Sequence, residues 1–173
     1  LEQLAAAAGG VGPVIGTLNQ LHPRLKIKTV LAPWQELPER VRTRAVDLIV
    51  VELSQVQEMQ DFAVRPLSEH AMHSVCRPQH PLLQRPQATL ADLFAYPTAG
   101  PTPTPAMVAR LLGAMPPELR EPVRKRGMVT LECDLSGMLK DVLKNCDATA
   151  LMPTFMVAQE LALGQLVALG QFD

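Results

Sequence analysis

Hydrophobic positions along this 173-residue chain switch repeatedly between the period of a helix and that of a strand. Val11, Ile15, Leu18 and Leu21 fall at helical spacing behind Gly12-Pro13, and proline suits a first helical turn, so a helix is expected from about Pro13 to Leu21. His22-Pro23 ends it, and residues 25–31 (LKIKTVL) alternate enough for a half-exposed strand. A second helix carries Leu37, Val41 and Ala45 on one face. Glu36 and Glu39 lie in its first turns and Arg40, Arg42 and Arg44 later, as the helix dipole prefers. Residues 47–51 (DLIVV) form a continuous apolar run, which predicts the core strand of a first lobe, buried on both faces of a parallel sheet. Residues 62–67 predict another short strand.

The next stretch, HAMHSVCRPQHPLL from His70 to Leu83, organises the chain. Its first half has the content of a short strand, and Arg77-Pro78 stops it because proline cannot donate into a sheet ladder. Pro81 follows at once, so Gln79-His80 is expected to be extended and the segment to act as a stiff bridge between two α/β units. Beyond it, Thr89 is placed to cap a short helix ended by Pro97, and residues 98–100 predict a brief strand. The alternating prolines of residues 101–105 exclude regular structure ahead of a helix from Ala106 to Met115, and residues 116–125 read as polar and proline-broken. Residues 129–133 predict a strand, and Met138, Leu139, Val142 and Leu143 a helix face with Asn145 as a left-handed end. Residues 148–152 predict a buried strand, and Pro153 starts a helix closed by Gly164. Residues 165–172 extend again.

Composition limits the function classes. A chain 47% hydrophobic and 19% charged is globular, and sixteen basic against seventeen acidic side chains leave no excess to hold phosphates, so nucleic-acid binding by this piece is not expected. Cys76, Cys133 and Cys146 are odd in number and lack CxxC spacing; reduced, buried and inert thiols in a cytoplasmic protein are expected. The first residues, LEQLAAAAGGVGP, are too short for a membrane span and carry no basic leader, and the start reads as truncated. Catalytic motifs are missing. The glycines from Gly9 to Gly16 fit neither dinucleotide nor phosphate-loop spacing, and Ser136-Gly137 is no nucleophile elbow. His70, His73, Cys76 and His80 point to alternate faces of a strand, so neither a metal nor any other cofactor is expected.

Taken together the segments resemble a family, the effector-binding (substrate-binding) domain of LysR-type transcriptional regulators, itself similar to the type-2 periplasmic binding proteins. The resemblance rests on order and spacing. It runs through the helix ending in His22-Pro23, Leu37 ten positions ahead of Asp47-Leu48-Ile49-Val50, and Arg77-Pro78-Gln79-His80-Pro81-Leu82 followed by Leu90-Ala91-Asp92-Leu93. Val142 through Ala150-Leu151-Met152-Pro153, then Leu161 to Val167, complete it. It implies an α/β fold of two Rossmann-like lobes joined by crossover strands: residues 1–77 as the first lobe with terminal parts missing, 78–165 as the second, and 166–173 as the crossover returning. Three departures stand out. Asn145-Cys146-Asp147 occupies the place of a glycine-rich turn, the first strand is almost absent, and the closing strand and helix of the first lobe are missing after Phe172-Asp173.

The resemblance implies a non-enzymatic regulatory domain that binds a small molecule in the cleft between lobes. DNA would be contacted only through a missing N-terminal winged helix-turn-helix. By position, the first wall would be Leu4 to Ala6 with Pro33, Trp34 and Gln35, and Glu52 near the end of the core strand; the other would be Gly100, Thr102 and Thr104, then Asp134 and Ser136. Blander readings stay open: a solvated loop for the two threonines, helix capping for Asp134 and Ser136, and space-filling for Trp34. Trp34 stands where the family tends to carry a small hydroxyl residue, which implies an aromatic or otherwise flat and apolar effector, or an indole that partly closes an empty pocket. The resemblance further implies a homodimer or higher homo-oligomer, with the first helix and residues 25–31 against Ser136 to Lys144 of a partner, and no membrane partner. A periplasmic solute-binding protein of the same fold is the alternative, and an α/β enzyme the third class.

Overall fold

The computed structural model describes residues 10–51, 56, 59–67, 70–85 and 88–170, and the chain divides into two compact units, residues 1–69 and 70–173.

In the first unit, α1 (Val11–Leu21) buries Val14 and ends at His22, whose N–H donates to the Leu18 carbonyl. A single 3-10 turn (Trp34–Glu36) leads into α2 (Leu37–Arg42), where Pro38 is buried. The helix expected through Ala45 stops earlier. Arg44 turns left-handed at φ 55°, its N–H bonds the Val41 carbonyl and the Ala45 N–H bonds the Arg40 carbonyl, which is the paired closure of a Schellman end. Arg42 then leaves the helix surface to meet Asp61 at 2.7 Å and to lie over the Phe62 ring.

The strands expected at residues 25–31, 47–51 and 62–67 do not form among the described residues. Alternation makes a segment able to pair, but a strand exists only where a neighbour supplies ladder hydrogen bonds. Among the described residues none of these runs has such a neighbour, and Leu25, Val30, Leu31, Leu48 and Val50 stay exposed. The core-strand reading of residues 47–51 is thereby corrected.

The second unit is mixed α/β. β1 (Met72–Cys76) pairs antiparallel with β4 (Ala150–Pro153) on one side and with β5 (Val167–Ala168) on the other. β2 (Ala99–Gly100) and β3 (Leu131–Glu132) pair in parallel, and a parallel bridge from Thr98 to Thr149 sets β2 beside the chain entering β4. Helices fill the crossovers: α3 (Leu90–Ala95), α4 (Pro105–Ala114), α5 (Pro117–Arg126), α6 (Ser136–Asn145) and α7 (Thr154–Ala162). The main core joins Val75 of β1 and Met152 of β4 to Leu139 and Leu143 of α6, Val157 of α7 and Leu166. Side chains of this size each contribute about 1.5–3 kcal/mol when fully buried.

The local chemistry follows from residue type. Thr89 caps α3 as expected and forms a reciprocal capping box with Asp92. Gly164, at φ 65°, closes α7. The segment 116–125, read as proline-broken, is instead a helix, because Pro117 sits in the first turn where no donor is needed and the buried Val123 anchors the turn beyond Pro122. β4 is not buried on both faces; Ala150 and Met152 point inward while Leu151 is exposed. Asn145 stays helical, its amide donating to the Asp141 carbonyl at 2.8 Å, and is not the left-handed end expected of it.

After β1 the chain turns at Pro78–Gln79, with the His80 N–H on the Arg77 carbonyl, so the expected extension holds for His80 and not for Gln79. His80 is fully buried. Its Nδ1 accepts the Leu82 N–H at 3.1 Å and its ring meets Tyr96 edge-on. Of the three cysteines only Cys76 is buried, and burial pushes its thiol up to about 11. Cys133 and Cys146 are half-buried, so inertness by burial holds for one of the three.

Candidate functional site

Because β2 and β3 run parallel in the register Ala99 to Leu131 and Gly100 to Glu132, their carboxyl ends lie side by side. The Cys133 N–H donates to the Gly100 carbonyl at 2.8 Å and holds this edge together. From it two chains lead into helices: residues 101–104 into α4, and residues 133–135 into α6. Two helix N-termini therefore leave one sheet edge, the place where open α/β sheets bind ligands.

The two starts differ in chemistry. Thr104, expected as a contact or a solvated loop residue, is 5% exposed and its hydroxyl accepts the Met107 N–H at 3.1 Å, so it caps α4. At α6 the residue before the helix is Leu135, which has no side chain to cap with. Ser136, expected as a cap, is the first helical residue, and its exposed side chain does not cap. The first N–H bonded back into the helix is that of Leu139, to Leu135, which leaves Ser136, Gly137 and Met138 with amides that have no acceptor inside the helix. The space around Gly137 is open, since a Cβ there would meet nothing within 4 Å. Asp134 is exposed just ahead of these amides.

Between the two starts Thr102 donates its hydroxyl to Glu132 Oε2 at 3.3 Å. Glu132 is the residue that sequence reasoning missed. Its place beside Gly100 follows from the β2–β3 register, which no spacing in the sequence encodes. Gly100 is buried beneath this edge and supplies backbone only.

In the first unit, Pro33 and Gln35 are exposed and Trp34 is half-buried at the start of the 3-10 turn. The indole Nε1 is buried without a hydrogen-bond partner among the described residues. Glu52 and residues 4–6 lie outside the described residues. Among the described residues no cluster of histidine, cysteine or acidic side chains is arranged to hold a metal ion. No described helix is long and apolar enough to cross a membrane.

Residues 4–171 match the family described as the LysR substrate binding domain. The chain is 33% identical over 157 residues to the SDS degradation transcriptional activation protein of a Pseudomonas species, which covers 90% of this chain and 49% of that protein. It is 38% identical over 92 residues to the HTH-type transcriptional regulator GbpR of Azospirillum brasilense, covering 52% of this chain and 27% of that protein. The chain thus spans half or less of the length of these relatives. Similar solved structures include the regulatory domain of CrgA from Neisseria meningitidis, with TM-score 0.61 at 16% identity over 91% of this chain and 72% of that one. Another is the CcmR regulatory domain of Synechocystis in complex with 2-PG, with TM-score 0.56 at 15% identity over 90% of this chain and 72% of that one. The mixed α/β fold is that of LysR-type regulatory domains, and the chain belongs to the family of LysR substrate-binding domains, the effector-binding part of LysR-type transcriptional regulators.

Proposed function

We propose that this chain senses a small polar effector and so controls DNA binding by a winged helix-turn-helix in the same regulator, acting in the cytoplasm without catalysis and as a dimer or higher oligomer. The observation that carries the reading is the shared edge of β2 and β3, where the uncapped start of α6 offers three N–H groups to an anionic group of a ligand. Gly100, Thr102, Asp134 and Ser136 border this edge in the second unit. Thr104 acts behind it as the cap of α4. Pro33, Trp34, Gln35 and Glu52 are the proposed contacts from the first unit. That the CcmR domain was solved with 2-PG supports a small anion as ligand.

Trp34 provides the test, being the only tryptophan in the sequence, so its emission reports on one place. Its Nε1–H has no partner among the described residues, and a ligand oxygen would supply one. Small organic acids, 2-PG among them, are titrated while emission is followed. The expected result is a saturable change with one class of acid, and a loss of roughly 1–3 kcal/mol of binding in Trp34→Ala if the indole stacks on the ligand. An acid that binds tightly, leaves emission unchanged and binds Trp34→Ala equally well would remove Trp34 from the site. If no acid in the panel binds, the anion reading fails.

A further inference from the structure

Beyond β1 the chain passes Arg77 and reaches His80, with the 3-10 turn Pro81–Gln84 behind it. Cys76, Leu82, Leu93 and Leu169 form a second buried core there, which joins β1, that turn, α3 and the segment after β5. The Leu169 N–H closes the same place by donating to the Ser74 carbonyl at 2.7 Å. His80 caps the turn: it is 0% exposed, and its Nδ1 accepts the N–H of Leu82, itself 2% exposed. An acceptor nitrogen carries no proton, so the neutral ring holds its hydrogen on Nε2. That nitrogen is buried without a hydrogen-bond partner among the described residues.

The groups around the ring oppose a second proton on balance. Burial is the largest influence and lowers the imidazole below its ordinary 6.5; the Asp147 backbone and carboxylate offset part of this, and the Arg77 charge adds to it. Asp147, in the turn between α6 and β4, is itself held by Arg77 at 2.8 Å, so its carboxylate is already engaged. From β1 comes the buried Cys76 thiol, pushed up to about 11 by burial and therefore neutral. Tyr96, at the end of α3, presents its ring edge-on to the imidazole, and Arg85, beyond the turn, is paired with Asp92.

We infer that His80 is an acid-sensitive latch: a proton taken up at Nδ1 breaks the bond from the Leu82 N–H and releases the turn Pro81–Gln84, with Leu82, from the core shared by β1, α3 and Leu169. Two N–H groups would otherwise face each other across 3.1 Å, and a cation would stand in a site that excludes water. Hydrating the charge requires the turn to open, because no part of His80 reaches the surface. The folded chain binds this proton less readily than the unfolded one. The stability tied to the neutral ring is therefore present in full above 6.5 and is lost as pH falls through 6.5 towards the lowered folded value. The inference stands apart from the effector reading.

Imidazole nitrogen chemical shifts of the full 173-residue chain, with urea unfolding of parent and His80→Asn between about pH 7.5 and 5, test this. Asparagine supplies an amide oxygen in place of Nδ1 and is a good cap, but it does not titrate. At neutral pH the His80 ring is expected as the Nε2–H tautomer. As the ring charges on acidification, the Leu82 amide signal should shift or vanish. The unfolding constant of the parent should rise relative to that of His80→Asn by up to about tenfold per pH unit below 6.5. An Nδ1–H tautomer overturns the inference, as does a ring that charges while the Leu82 amide signal stays in place. Parallel pH dependence of parent and variant also overturns it. The nitrogen shifts are read on the parent, so they decide between these outcomes even where His80→Asn does not fold.

Discussion

Arg44 and Gly164 hold the same place in two helix ends. Each is left-handed, at φ 55° and 65°, and each is followed by an N–H that reaches back five residues, Ala45 to Arg40 and Gln165 to Glu160. Glycine adopts this conformation without steric cost, whereas a residue with a Cβ is strained by about 1–2 kcal/mol. The sequence showed Gly164 as a helix end for this reason and concealed Arg44, which looked like another basic residue in a last turn. Arg44→Gly is therefore expected to raise unfolding stability by about 1 kcal/mol in urea titration, and a destabilised variant would show that Arg44 makes contacts worth more than the strain. Capping was legible at Thr89, where threonine and Asp92 stand three residues apart. It was misread at Ser136, because Leu135 occupies the capping place and puts the serine one residue inside the helix.

Between elements, a partly buried ion pair ties α6 to α7. Lys140 Nζ lies 2.6 Å from Glu160 Oε1 and also donates to the Met156 carbonyl at 3.3 Å. Burial alone would raise the Glu160 carboxyl, but the Lys140 hydrogen bond, with the charges of Lys140 and Lys144, holds it below its ordinary 4.5. The folded chain thus binds this proton less readily than the unfolded one. The pair's contribution is complete above about pH 4.5 and is lost as pH falls through the lowered folded value. Lys140→Met leaves the carboxylate without its partner and is expected to cost on the order of 2–3 kcal/mol at pH 7, less than for a fully buried pair. The cost should shrink towards pH 4, and one that is equal at both values would assign it to lost packing. Sequence reading was accurate for β1 and for α3, α4, α6 and α7, where apolar period and capping residues act locally. It failed at residues 25–31 and 47–51, whose pattern suits a strand but whose pairing depends on neighbours elsewhere. In α5 the opposite occurred. Prolines obscured a helix whose Arg120 donates to the Met115 and Gly113 carbonyls and whose Arg126 donates to those of Phe94 and Tyr96, contacts that no local pattern shows.

For the whole molecule, self-association is proposed through α1 and residues 25–31 against α6 of a second copy. Leu21, Leu31, Leu135 and Met138 are each more than half exposed, and a stable interface of the usual size buries on the order of 1,600 Å². Light scattering at tens of micromolar should give a dimer mass that Met138→Glu lowers, and a monomer mass for the parent would contradict the proposal. The proposed effector site was legible only in outline. Family resemblance pointed to the loops after two strands, while the uncapped start of α6 and the place of Glu132 came from the structure. Ser136→Asp tests the site most directly, because its two effects have opposite signs. A carboxylate in the first turn of α6 favours the helix dipole and should leave the melting temperature unchanged or higher. The same charge occupies the amides and repels a ligand carboxylate. The effector-site proposal predicts that the ligand found by Trp34 emission or by calorimetry binds Ser136→Asp at least about tenfold more weakly, with the fold intact. Undiminished binding to a normally folded Ser136→Asp would contradict it.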